Sequence, residues 1–291
     1  MISNLKVGDE IKIVAPSSYI EDESLFIEGV EILKEWGLKI NYDADILTRK
    51  FGSLAGDDFT RFSEIEKSQD SKLIIFAKGG WGAARLLEKN PSWKNCWMLG
   101  FSDTCSLLLS KYKQGFIGSI HGPMITTLSK EPLWSLERLH NLLFEGYVNK
   151  IQGMPLKGGI SSGEIIVSNL TILSFLVGTD HFPDLRGKIL ILEDINEDLY
   201  KIDRMFTYLR MSKKFKDIIG LGFGSFFDNG KNIKEKVLLK HLIYERFDEL
   251  NIPIVINFPI GHIEGNACIP LGFNSTINGN NGNLSINLNL D

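Results

Sequence analysis

The stretch Trp97-Met98-Leu99-Gly100-Phe101-Ser102-Asp103-Thr104-Cys105-Ser106-Leu107-Leu108-Leu109 decides how the chain is read. Its first residues form a short apolar strand closed by a glycine, and the run from Thr104 onward suits a buried helix ending near Gly115. Between the two, a Ser-Asp pair occupies a sharp strand-to-helix turn. A serine in that position is exposed and lies beside the unpaired N–H groups of the first helical turn, as a nucleophile would. Ser and Asp are equally good helix caps, so the turn alone leaves both readings open.

The same alternation extends to either side. Upstream, residues 11–15 read as a strand closed by Pro16-Ser17-Ser18, 24–36 as a helix stopped by Gly37, 38–42 as a strand and 57–68 as a polar helix. Leu73-Ile74-Ile75-Phe76-Ala77 is apolar throughout, as a central parallel strand is, and it runs into Lys78-Gly79-Gly80-Trp81-Gly82 and a short helix at 83–87. Downstream come a strand at 116–120, the motif His121-Gly122-Pro123-Met124 and an amphipathic helix at 133–144. Strand–helix alternation of this kind predicts a parallel sheet covered on both faces, with its site at the carboxyl ends of the strands. The turns at 78–82 and 100–104 then share one rim.

The region 146–163 is rich in Gly, Lys and Pro and lacks strong periodicity, which places a domain boundary there. The expected division is a Rossmann-like unit over 1–150, a linker over 151–165 and a β-rich, barrel-like unit over 166–291. In the second unit we expect helices at 170–177, 200–210 and 237–250, strands at 188–192, 218–227 and 253–257, and a terminal hairpin over 276–290.

Composition narrows the class of function. The chain has 291 residues, 43% of them hydrophobic and 23% charged, with a net charge of −4 and no basic block, so a nucleic-acid role is not expected. Three scattered cysteines, with no C-x-x-C pair, favour a reducing compartment. No run of about 18 apolar residues is present and the first residues do not resemble a signal peptide, so a soluble, cytoplasmic protein without a membrane partner is expected.

A nucleophilic serine needs an imidazole to take its proton and a carboxylate to hold that imidazole's tautomer. Of five histidines, His121 and His262 each follow a strand and a Gly- or Pro-containing turn, where a side chain can face a cleft; His140, His181 and His241 sit in helices or a loop. Glu193 is the clearest strand-end acid, with Asp194 beside it as a possible second carboxylate. The segment Gly80-x-Gly82-x-x-Arg85 is a poor dinucleotide fingerprint, with arginine where the third glycine belongs. As a glycine turn exposing N–H groups it suits an oxyanion hole. No metal-ligand motif occurs, and neither a metal nor a cofactor is expected.

These blocks, taken in register, resemble the LD-carboxypeptidase family of serine peptidases, which includes muramoyl-tetrapeptide carboxypeptidases and microcin C self-immunity peptidases. The resemblance rests on Val14-Ala15-Pro16-Ser17-Ser18, Gly79-Gly80-Trp81-Gly82, Gly100-Phe101-Ser102-Asp103 and His121-Gly122-Pro123-Met124. In the second half it rests on Asn169-Leu170, Leu192-Glu193-Asp194, Tyr200-x-Ile202-Asp203-Arg204, Gly261-His262 with Asn266, and Pro270-Leu271-Gly272. It implies Ser102 as nucleophile, His262 as general base and Glu193 as the acid orienting it, with Gly80 and Asp103 giving oxyanion N–H groups. It also implies a site between two units, a small peptide substrate (a murein peptide or a peptidyl-nucleotide) and a homodimer. Lys78 stands where relatives carry Arg, and Val167-Ser168 replaces a Gly-Gly. Thr104, Leu108 and Trp81 lean toward the microcin-immunity branch. These departures bear on substrate and leave the reaction class as it is.

Overall fold

The computed structural model describes residues 2–227 and 233–288. Its first half alternates as the apolar pattern predicts. Strands β1 (Glu10–Val14), β2 (Lys39–Asn41), β3 (Leu73–Phe76), β4 (Trp97–Gly100) and β5 (Ser119–His121) pair in parallel in the order β2-β1-β3-β4-β5. Every residue of β3 and β4 is buried, because helices cover both faces of a parallel sheet. Two of those helices are α1 (Glu23–Glu35) and α2 (Asp58–Ser68), each started by an aspartate whose carboxylate accepts first-turn N–H groups: Asp22 from Ser24 and Leu25, Asp57 from Thr60. Each such cap is worth about 1 kcal/mol.

Helix α3 (Cys105–Lys113) starts directly after the Ser-Asp turn and is buried from Cys105 to Lys111. It earns that burial by lying between two layers: it packs on β4 and β5 on one side, and on β8 (Ile160–Asn169) and α6 (Leu170–Leu176) of the second half on the other. One apolar core therefore runs through both halves, joining Leu107, Leu108 and Leu109 to Ile165, Ile166 and Leu173. Helices α4 (Ile125–Leu128) and α5 (Leu133–His140) complete the first half; α5 runs on into a π-helical turn at Asn141–Glu145, so the helical stretch covers the expected 133–144.

The region expected to be a linker, 151–165, is instead built into a sheet as β6 (Ile151–Gln152), β7 (Met154–Lys157) and the start of β8. That second, eight-stranded sheet is barrel-like. It adds β9 (Ile189–Glu193), β10 (Gly220–Phe223), β11 (Ile254–Ile256), β13 (Asn274–Asn278) and β14 (Asn283–Ile286), in the order β6-β14-β13-β8-β9-β10-β11-β7. Strands β8 to β11 are parallel and the flanking pairs antiparallel. Helices α7 (Leu199–Met211) and α8 (Ile233–Phe247) belong to this half. The expected strand at 218–227 is only four residues long, and the hairpin turns at 279–282 with residues 289 and 290 outside the described residues.

Strand β12 (Ile269–Pro270) leaves the second half to pair antiparallel with β5, so the first sheet takes its edge from the far end of the chain. Arg138 of α5 fastens this crossover. Its buried guanidinium donates to the carbonyls of Cys268, at 3.0 Å, and Asn149. Truncating it leaves the buried Cys268 carbonyl without its donor, at about 1–3 kcal/mol, and frees the carbonyl of the exposed Asn149. Arg138→Ala should lower Tm by about 2–6 °C in calorimetry; an unchanged Tm would show that the crossover holds without it.

Candidate active site

The carboxyl ends of parallel strands from the two sheets face one another, and the residues singled out in the sequence lie on those ends. Ser102 follows β4 with φ of 61°, in the left-handed region, which costs a residue with a Cβ about 1 kcal/mol or more. The strain lifts the side chain off the end of the sheet. Gly100 permits the turn, since a methyl there would stand 2.4 Å from the Phe76 ring. The Gly79 turn approaches so closely that a methyl on Gly79 would lie 3.2 Å from Ser102 Oγ.

Asp103 has a role that its sequence position does not announce. Its buried carboxylate accepts from Ser17 Oγ at 2.6 Å and from the Ala83 N–H at 2.8 Å. It thereby ties the ends of β1 and β3 to the serine turn. Burial pushes this carboxyl up, against the opposing pull of those donors. Its own N–H is the second of a 3-10 turn at Ser102–Thr104, a position with no intrahelical acceptor. Gly80, at φ of 109°, leaves space for Ser18 Oγ, which a methyl would approach to 2.2 Å.

Glu193 ends β9 with its side chain wholly buried. Its Oε2 accepts the Nδ1–H of His262 at 2.9 Å, which leaves Nε2 of that ring free. Gly261 makes room for the contact, because a methyl at that position would stand 2.7 Å from Oε2. The His262 ring also lies 4.8 Å, centroid to centroid, from the ring of Phe101, the residue before the serine. The imidazole and the carboxylate thus meet against the residue that precedes Ser102. Burial alone would raise Glu193, but the His262 charge and hydrogen bond, with the His121 ring close by, hold it down at about 2. For His262 burial lowers the affinity for a proton, and the Glu193 charge and hydrogen bond more than offset this.

The loop carrying His262 is held from the first half. Glu131, just before α5, accepts from the N–H groups of Gly265 and Asn266 at 3.0 and 2.9 Å, and Asn266 Oδ1 accepts from Gly261 N–H. Sequence reading passed over Glu131, which lies 134 residues from Gly265 in an ordinary helix-entry setting. Asp194, beside Glu193 in sequence, is committed to other partners. It accepts from Asn169 Nδ2, from the N–H and hydroxyl of Thr171, and from the Ile195 N–H, joining the end of β8 to the start of α6. His140 stacks on Phe144, His181 meets Ser110 at 2.9 Å and His241 lies in α8, all outside this cluster.

Cys105, His121 and Glu193 offer three donor atoms within 4.8 Å of one another, the composition of a metal site. Here burial pushes the thiol far up, so it stays neutral, and one carboxylate oxygen is committed to His262. The set is thus a buried cluster around Glu193. A cavity of about 360 Å³ opens beside it, lined by Gly224, Lys236, Phe258 and Ile263 among others, within the size range of small-ligand sites. Neither that cavity nor a larger one of about 660 Å³, around Asp184, Arg186 and Lys214, is lined by Ser102, Glu193 or His262.

Comparison with known proteins gives matches along most of the chain. Residues 11–122 match the model of the LD-carboxypeptidase N-terminal domain, and 162–277 that of the C-terminal domain. A Synechocystis protein whose name assigns it provisionally to the carboxypeptidases is 34% identical, over 97% of this chain and 95% of its own length. The murein tetrapeptide carboxypeptidase of Pseudomonas aeruginosa is 27% identical, with 94% of each chain covered. The structure of the microcin C7 self-immunity protein MccF in complex with aspartyl sulfamoyl adenosine superimposes with a TM-score of 0.83, over 98% of this chain and 97% of that one. At 22% identity that likeness speaks to fold.

The Glu193 charge favours the protonated imidazole, so acidification charges His262 at a pH above the ordinary value of about 6.5. Replacing Glu193 by Gln removes that charge and should lower the His262 midpoint by about one unit or more, read by NMR titration of the ring nitrogens. An unmoved midpoint would mean that the contact carries no electrostatic coupling.

Proposed function

The chain belongs to the LD-carboxypeptidase family, and from that premise we propose that it is a serine-type carboxypeptidase working through Ser102, His262 and Glu193. The observation that carries this reading is the 2.9 Å contact between His262 and a buried carboxylate, on a ring packed against the residue before a left-handed serine. His262 Nε2 takes the Ser102 proton as Oγ adds to the carbonyl of the scissile amide. Glu193 holds the Nδ1–H tautomer and stabilises the imidazolium that results. The oxyanion is met by the N–H groups of Gly80 and Asp103. His262 then protonates the leaving amine, and water, deprotonated by the same ring, releases the acid from Ser102.

In this reading the first unit supplies the nucleophile and the second the base and acid, with the substrate lying between them. The substrate we favour is a murein tetrapeptide losing its terminal D-alanine, and we read the chain as a cytoplasmic homodimer, as the family resemblance implies. Among the described residues no helix is long and apolar enough to cross a membrane. A second substrate, a peptidyl-nucleotide, is favoured by Trp81, half exposed on the Gly79–Gly82 turn beside Ser102. It is favoured also by the likeness to MccF held with an aminoacyl sulfamoyl nucleoside.

Both substrates should be assayed side by side with the native chain and Ser102→Ala. The variant should lose about 10⁴-fold in kcat on whichever substrate is cleaved. Hydrolysis undiminished in Ser102→Ala would remove the serine mechanism, and free D-alanine from the tetrapeptide decides between the substrates.

A further inference from the structure

His121 ends β5 beside Gly100, in register with the serine turn, and is completely buried. Its Nε2 lies 3.6 Å from Oε1 of Glu193, the oxygen that His262 does not use. That is longer than a hydrogen bond. Yet neither ring nitrogen of His121 has a partner, and neither has Oε1. Buried polar atoms left unpaired cost about 1–3 kcal/mol each, so two such groups facing each other across half an ångström of slack are a pair waiting to close. Apo sites often hold their catalytic hydrogen bonds long and tighten them in the reacting complex.

We propose that His121 is a positioning residue: its Nε2–H donates to Glu193 Oε1 and clamps the carboxylate between two imidazoles, so that Oε2 stays aimed at His262. The inference rests on the triad reading above. The groups that face Glu193 are His262 from the loop after β11, His121 from β5, the thiol of Cys105 from α3 and the neighbouring Asp194. Burial keeps the thiol neutral, and Asp194 is turned onto α6 by its own donors. Among the described residues, His121 is the group left to serve Oε1. A clamp at this point fixes the carboxylate's rotation, and through it the ring that must reach Ser102.

Two substitutions of similar volume separate positioning from packing. His121→Leu fills the space without a donor, and His121→Gln places an amide N–H near the position of Nε2. With leucine, Glu193 loses its second support and can rotate, so its Oε2 contact with His262 loosens and the carboxylate holds the imidazolium proton less well. The His262 midpoint should fall by about one unit in NMR titration of the substrate-free protein. kcat should drop by up to about 10²-fold with KM held within about twofold, and glutamine should restore most of both. A wild-type midpoint and kcat in His121→Leu, or glutamine as impaired as leucine, would overturn the proposal. The titration needs no turnover, so failure of the triad reading, seen as undiminished hydrolysis in Ser102→Ala, is scored separately from failure of the clamp.

Discussion

A carboxylate with no exposed surface stays ionised only if its surroundings replace the water it has lost, and everything at this site follows from how Glu193 meets that demand. Desolvation drives such a group toward its neutral form. Against it stand His262 on one oxygen, at 2.9 Å, and His121 near the other. The strand end that carries Glu193 is crowded by Gly224 and Gly261, where any side chain would intrude on it. Packing thus brings the carboxylate close to His262, and the groups paired with its two oxygens set its final orientation.

That constraint reaches outward through two carboxylates that do no chemistry. Asp103 joins the ends of β1 and β3 to the serine turn, and Glu131 holds the His262 loop from across the molecule. Between them lies α3, buried along most of its length because it is core to both sheets. Rigid placement by elements on both sides suits chemistry that tolerates little misalignment. Arg138 and the β12 crossover serve the same end, since the loop bearing His262 runs straight into β12.

Much of the first sheet was legible in the sequence because parallel strands buried on both faces are apolar throughout and their helices begin at aspartate caps. The serine turn, the acid at the end of β9 and the His262 loop could be named because strand-end positions carry side chains to a rim. The stretch 151–165 was not legible. Its strands are short and partly exposed, Ile160 being 59% exposed, and glycines at 153, 158, 159 and 163 break the alternation that marks a strand. Strand β12, two residues long, offers no periodicity at all. The bracing contacts of Asp103, Glu131 and Asp194 escaped for a different reason: a bracing carboxylate is defined by distant donors, and local sequence does not record them. His121 stood out by its motif, while its partner became visible only when β5 and β9 were brought together.

The measurement that tests the central claim most directly is covalent labelling of the full chain with a serine-directed fluorophosphonate, followed by digestion and mass mapping of the adduct. A carboxylate–imidazole pair that activates one hydroxyl predicts a single adduct on Ser102 Oγ, formed at a rate that collapses when His262 is replaced by alanine. An adduct on another serine, or labelling of Ser102 at an undiminished rate without His262, would contradict it.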